Sequence, residues 1–224
     1  MATNLYLIRH GETEGSETRR YKGTIDVPLS EKGIKQIKRL VKYMVQDSSN
    51  PHSSPFFKGG MGGLLSAVYC SDLSRAIKSA EIIAEPYSLK PIIVPSLRER
   101  NFGIWEGMSF EEIRERYPDE FEAWVSDPLK FSPVKGESTI EVRNRVIDAL
   151  NKILDNHVDQ GGESDVNNIA IVAHGGVNRV ILCYLLDIPM ENIFRIEQDY
   201  AAVNIIEFRK GYPVVKLING AVND

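Results

Sequence analysis

The sequence predicts a three-layer α/β/α sandwich built on a mostly parallel sheet. Short apolar runs of the kind that buried parallel strands use alternate with stretches whose apolar residues recur at helical spacing. That alternation puts helices on both faces of the sheet. The length sets the scale: 224 residues, against a typical ~100–200 per domain, point to one domain spanning 1–224.

The elements follow in order. Leu5-Tyr6-Leu7-Ile8 is the first strand. Ser30 offers a helix N-cap, and Ile34, Ile37, Val41 and Met44 then recur at helical spacing. Ala67-Val68-Tyr69-Cys70 is the second strand, leading into a helix with Leu73, Ala76, Ile77, Ala80, Ile83 and Ala84 on one face. Ile92-Ile93-Val94 is a short third. From about 102 to 135 no strand is visible, yet seven of the chain's 19 aromatics lie there, both tryptophans included. This stretch reads as a helical cap inserted after the third strand. Ser138 opens a long helix through Val146, Ile147, Leu150 and Ile153. Ile169 to Ala173 is the clearest buried strand, and a helix through Val177, Val180, Ile181 and Leu185 follows. Val203–Ile206 and Val214–Ile218, separated by Lys210-Gly211, close the chain as a hairpin. Residues 48–63 hold four Ser, four Gly and two Pro, the composition of a flexible surface insertion. Residues 159–168 form a second, shorter polar loop.

Composition removes several classes of function. The net charge of −4 supplies no field to hold nucleic acid or an anionic membrane. No apolar run reaches the ~18–20 residues of a membrane span, and the first residues lack the basic and apolar regions of a signal peptide. Cys70 and Cys183 are the only cysteines, too few for a disulfide framework or a four-cysteine zinc site. The expectation is a soluble, cytoplasmic protein.

In open α/β sheets ligands bind beyond the carboxyl ends of the strands. Arg9, His10 and Gly11 follow the first strand, and Ser71, Asp72 and Arg75 the second. Arg98, Glu99 and Arg100 follow the third, and His174, Gly175 and Gly176 the long buried one. Arginine forks match phosphoryl oxygens, and helix starts beside glycine offer backbone N–H groups to the same anion. A neutral imidazole is a competent nucleophile toward phosphorus, and a carboxylate can shuttle the leaving oxygen's proton. The set suits phosphoryl transfer through a phosphohistidine without metal.

Leu7-Ile8-Arg9-His10-Gly11-Glu12-Thr13 resembles the signature of the histidine phosphatase superfamily, the phosphoglycerate mutase-like proteins. The resemblance continues in residues 23–30, in Ser71-Asp72-Leu73-Ser74-Arg75-Ala76 and in Ala173-His174-Gly175-Gly176-Val177, and covers nearly the whole chain outside 48–63. It implies that His10 is the phosphorylated nucleophile, that Arg9, Arg75 and His174 form the phosphate pocket, and that Glu99 is the general acid/base. Gly11, Ser16, Lys22, Gly23 and Gly175 are the substrate-binding positions it implies. Ser16 stands where the family usually has a phosphate-contacting Asn, and Lys78-Ser79 replaces a usual Gln-Thr. No metal and no cofactor are implied. The partner expected is a small phosphorylated substrate, with a homodimer left open.

Competing readings bear on several residues. Arg98 and Arg100 flank Glu99 and offer it a surface ion pair instead, which would make Glu106 the next acid. His52 and His157, outside the matched blocks, read as structural or solvated. Gly59-Gly60-Met61-Gly62-Gly63 lacks the Gly-Lys-Ser/Thr ending of a phosphate loop. Cys70 and Arg75 have four residues between them, one short of a cysteine-based phosphatase loop, so Cys70 reads as core, and so does Cys183. The aromatics of the cap read either as its own core or as a wall for a ring-bearing leaving group.

Three functions remain. A mutase needs a second basic site, which mutases of the family carry after the acid/base glutamate. Here Asn101-Phe102-Gly103-Ile104-Trp105-Glu106-Gly107-Met108 is followed by no basic residue until Arg114. That favours a phosphatase, and a non-catalytic phospho-ligand binder would be expected to lose a matched catalytic position. The same block is similar to alpha-ribazole phosphatases, which act late in cobalamin nucleotide-loop assembly, and to metal-independent phosphoserine phosphatases.

Overall fold

The structure, a computed structural model, describes residues 2–18, 20–47, 64–157 and 167–221. The insertion at 48–63, with His52, and residues 159–166 of the second polar loop lie outside the described residues.

Six strands form one sheet: β1 (Ala2–Arg9), β2 (Ala67–Cys70), β3 (Ile92–Ile93), β4 (Asn167–Ala173), β5 (Val203–Arg209) and β6 (Tyr212–Gly220), in the order β3-β2-β4-β1-β5-β6. The first four are mutually parallel, and β5 and β6 add an antiparallel hairpin. Its turn is Lys210-Gly211, both at positive φ (49° and 77°), the two-residue geometry that matches strand twist.

The strand period of two sorts the central residues between two cores. Tyr6 and Ile8 of β1, with Ala170 and Val172 of β4, face α1 (Glu31–Asp47) and α2 (Ser74–Ala84). Leu5 and Leu7, with Ile169 and Ile171, face the opposite layer. Because β1 and β4 are covered on both sides, they read as continuous apolar runs. The predicted three layers are observed. β3 is shorter than expected, and Ile92 and Ile93 are half exposed, because nothing pairs beyond them at the sheet edge. β1 begins three residues before its apolar run. Thr3 and Asn4 extend it as buried polar residues, donating to the His157 carbonyl (3.0 Å) and Asn168 Oδ1 (2.9 Å).

The cap contains α3 (Phe110–Arg116) and α4 (Pro118–Ser126), each preceded by a start signal. Ser109 and Glu112 make a capping box at α3, and Pro118 is the first residue of α4. A second capping box, Ser138 with Glu141, starts α5 (Thr139–Asp155), and α6 (Gly175–Leu185) lies beside it under the sheet. Arg100 ties the cap to α5. It donates to the Glu137 carbonyl (2.7 Å), Thr139 Oγ1 (3.0 Å) and the Phe131 carbonyl (3.1 Å). Among the described residues no helix is long and apolar enough to cross a membrane.

Candidate active site

Strand register builds the centre. β1 and β4 pair in parallel with Arg9 opposite Ala173, so the next residues, His10 and His174, emerge side by side. Their rings meet edge to face with centroids 5.1 Å apart. β2 pairs with β4 one strand over, Cys70 opposite Val172, which delivers Ser71 to His174. Ser71 Oγ lies 2.8 Å from His174 Nε2.

The hydrogen bonds fix how His10 presents its ring. Its Nδ1 lies 2.7 Å from the Gly11 carbonyl, an acceptor, so Nδ1 carries the proton. Nε2 then keeps its lone pair. Burial, followed by the charges of Arg9 and Arg75, holds the His10 pKa well below the usual imidazole range. The group is therefore a neutral, oriented nucleophile in a cationic setting. His174 is also buried, and burial with the neighbouring charges lowers its pKa in the same way.

Both arginines are held in place. Arg75, 2% exposed, donates to the Ile25 (2.8 Å) and Gly23 (2.6 Å) carbonyls. Gly23 needs to be glycine: its φ is +50°, and a Cβ would lie 2.2 Å from Glu106 Oε1. Arg9 donates to the Gln198 carbonyl, and its guanidinium sits 3.9 Å over the Tyr200 ring. Gln198 is fixed by Asn204, which also donates to the Leu7 carbonyl (3.0 Å). Among the described residues, Arg9 Nε and His174 Nδ1 are buried without a partner. An unmatched buried polar atom costs about 1–3 kcal/mol, and Arg9, on the cavity wall, is the one that an anion arriving beside His10 would relieve.

Glu99 follows a helical turn at Pro95–Leu97 and accepts from the N–H of Arg100 (3.0 Å) and of Gly176 (3.1 Å). Gly176 allows this approach, since a Cβ there would stand 2.5 Å from Glu99 Oε1. The competing surface ion pair does not form, because Arg98 pairs with Asp72 and Arg100 turns into the cap. Glu106, the second carboxylate considered, accepts from Thr24 N (2.7 Å), Thr24 Oγ1 (2.9 Å) and Phe102 N (3.2 Å) and braces that loop.

A cavity of about 340 Å3 opens over these groups. Arg9, His10, Arg75, Glu99, Ser16, Lys22, Gly23 and Gly175 line it. Two predicted site residues do not reach its wall. His174 lies behind His10, fully buried. Gly11 has its N–H on Ser79 Oγ (3.2 Å) and its carbonyl on His10, so it holds the nucleophile rather than a substrate. Ser79 does this from a position where the family's usual residue is absent, while Lys78 points outward to Glu81 (3.0 Å). Lys22 donates to Thr13 Oγ1 (2.6 Å) and the Glu14 carbonyl. Cys70 is core: burial pushes its thiol up to about 12. His157 is structural, between Tyr69 Oη (2.8 Å) and Asn167 Nδ2 (3.1 Å). Gln198, Asn204 and Tyr200 escaped sequence reasoning. Asn204, a polar residue inside an apolar strand run, was the available signal.

The depressed histidines carry a pH signature. The unfolded chain protonates its imidazoles near 6.5, while folded His10 and His174, and to a lesser degree His157, stay neutral further down. Their contribution to stability is whole above about 6.5 and lost as pH falls toward the lowered values. The melting temperature is expected to fall from pH 6.5 to 5, with a limit of about 1.4 kcal/mol per pH unit for each histidine. Thermal melts of wild type and His174→Gln check it: the variant should show the shallower dependence, and a flat wild-type profile would contradict the assignment.

The sequence model of the histidine phosphatase superfamily (branch 1) matches residues 5–56 and 62–221. The chain is 32% identical over 215 residues to phosphoserine phosphatase 1 of Hydrogenobacter thermophilus, covering 96% of this chain and 91% of that protein. It is 30% identical over 218 residues to the adenosylcobalamin/alpha-ribazole phosphatase of Salmonella typhimurium, covering 96% and 95%. The crystal structure of the alpha-ribazole phosphatase from Shigella flexneri superposes with a TM-score of 0.80 at 25% identity, covering 99% of each chain.

Proposed function

The chain belongs to the histidine phosphatase superfamily, and from that premise we propose that it hydrolyses small phosphomonoesters through a phosphohistidine on His10, with 1–224 acting as one catalytic unit. The observation that carries this is the His10 ring itself, pinned through Nδ1 and held neutral between two arginines.

In the first step His10 Nε2 attacks phosphorus and the P–O bond to the alcohol breaks. Glu99, as general acid, gives a proton to the departing oxygen. Arg9 and Arg75 take the charge on the equatorial oxygens, where fixed donors act most strongly. His174, buried against the His10 ring with Ser71 on its Nε2, backs the nucleophile from behind. In the second step water attacks phosphorus, Glu99 takes the water's proton, and the P–N bond breaks to release phosphate and neutral His10.

Two substrates are in view. Alpha-ribazole 5′-phosphate is our reading, supported by the likeness to alpha-ribazole phosphatases in sequence and in structure. Phosphoserine is the second, favoured by the 32% identical relative.

The reading needs no metal. Among the described residues no group of three or more His, Cys, Asp and Glu side chains is placed to hold one, and two buried arginines carry the charge instead. Turnover of a panel of phosphomonoesters should persist in excess chelator and be inhibited by vanadate, which mimics five-coordinate phosphorus. Loss of turnover in chelator, restored by magnesium or zinc, would refute it.

A further inference from the structure

The cavity is divided by chemistry. At the floor stand the groups that would hold phosphate. The far wall, supplied by the cap, is aromatic: Trp105, Phe110, Phe121 and Trp124, with Phe102 at the edge. These rings support one another, Phe110 on Phe121 at 5.0 Å between centroids and Trp124 on Phe121 at 5.7 Å. Trp105 is stacked on Phe131 behind it at 5.4 Å and carries a buried indole N–H with no partner. Phe110 is 40% exposed, so this wall is not sealed into the cap.

The cations near that wall already have hydrogen-bond partners. Arg100 spends its three nitrogens on two carbonyls and Thr139. Arg20 makes a two-pronged pair with Glu112, and Lys22 gives two of its three donors to Thr13 Oγ1 and the Glu14 carbonyl. Arg179 sits at the phosphate end instead: a Cβ on Gly175 would touch both Arg9 Cζ (3.4 Å) and Arg179 Nη1 (3.6 Å). Glu99 is the sole acidic side chain among the described residues lining the cavity, and its place in the proposed reaction is at the ester oxygen. On the far wall a substrate carboxylate would therefore meet only cations that already have partners, and a substrate ammonium no spare carboxylate. Polar groups left unmatched at a site cost more discrimination than a missing methylene does.

We propose that the cap wall is a subsite for a flat, aromatic alcohol portion of the phosphomonoester, and that the site selects against amino-acid phosphates. This rests on the reading that the ester's phosphate sits at His10. A ring on this wall buries its faces against other rings, and aromatic groups are the large apolar surfaces that such pockets recognise. Of the two substrates in view, the nucleotide with a heteroaromatic base fits and the zwitterion does not.

The test compares primary alkyl esters, with serine the best leaving group among them, so that a preference for the aromatic ester reports recognition and not reactivity. For wild type, kcat/KM for 2-phenylethyl phosphate should exceed that for O-phospho-L-serine by on the order of 100-fold, with ethyl phosphate between them. Phe110→Ala and Trp124→Leu should each shrink the phenylethyl-to-ethyl ratio about tenfold. Circular dichroism melts establish that the variants fold, and quenching of tryptophan fluorescence by 2-phenylethanol, in the presence of vanadate, reports the subsite without turnover. Phosphoserine turned over as well as the phenylethyl ester, or ratios unmoved in two folded variants, would overturn the subsite while leaving the phosphohistidine intact. Failure of p-nitrophenyl phosphate to label His10 would instead overturn the underlying reading, and the subsite with it.

Discussion

His10→Ala is expected to lower turnover by on the order of 10⁴-fold or more, whatever the ester. The reason is geometric. The other imidazole nearby, His174, is buried behind His10 with its Nε2 on Ser71, and it does not line the cavity. Cys70, also at a strand end, is buried with its thiol pushed up to about 12, so it has no thiolate to offer. Among the described residues lining the cavity, His10 is the one imidazole and no cysteine is present. Rapid quenching of wild type with ³²P-labelled ester should yield an acid-labile, base-stable adduct that His10→Ala lacks. Arg9 and Arg75 are held by Gln198, Tyr200, Gly23 and Ile25 rather than by His10. The variant should therefore still bind vanadate, separating loss of the nucleophile from collapse of the anion site. Substantial turnover or an unchanged adduct in the variant would remove His10 from the role.

How much of this the chain announced depends on which interactions hold each part. Leu5–Ile8, Ala67–Cys70 and Ile169–Ala173 declared themselves because strands covered on both faces have no polar side. Ser30, with its Oγ 3.0 Å from the N–H of Gly33, and Ser138 marked helix starts through local chemistry that a sequence displays. The strand ends were less legible. Thr3, Asn4 and Asn168 belong to strands through side-chain partners remote in sequence, and periodicity cannot see those. At the site, Arg9, His10, Arg75, Glu99 and Gly175 were assembled on one cavity as their places after the strands implied. The supports were not legible. Tyr200 reaches Arg9 only because the 199–202 turn is strapped to β1: Ala201 N donates to the His10 carbonyl (3.1 Å) and Arg9 N to the Ala202 carbonyl (3.0 Å). Gly11 was a substrate-binding position by family resemblance. Its N–H and carbonyl are instead consumed within the protein, by Ser79 and His10. Whether the cap aromatics formed its core or a cavity wall was a question of tertiary placement, and several of them do both.

Glu99→Gln should separate proton transfer from binding. An alkoxide leaves phosphorus poorly without a proton, and a positioned general acid contributes about 10²–10⁴-fold. On alkyl phosphates the variant's turnover should fall in that range, with a modest change in KM. On p-nitrophenyl phosphate, whose phenolate departs unaided, phosphorylation of His10 should suffer far less. The second step still needs a base to take the proton from water, so the phosphoenzyme should accumulate and a burst of p-nitrophenol should precede slow turnover. The substitution is not silent structurally. Glu99 accepts from two backbone N–H groups, of Arg100 and Gly176, whereas an amide has one acceptor oxygen and turns its NH₂ toward the other. Vanadate affinity and the melting temperature must accompany the kinetics, so that a displaced α6 N-terminus is not mistaken for lost acid catalysis. Glu106 cannot take over, because Thr24 and Phe102 already engage its carboxylate beneath the Gly23 loop. Equal, severe losses in the phosphorylation step for both ester types, with vanadate binding intact, would take Glu99 out of the acid role. A large loss in the phosphorylation step confined to alkyl esters, with a burst and then slow turnover on the aryl ester, assigns the proton on both half-reactions to this one carboxylate.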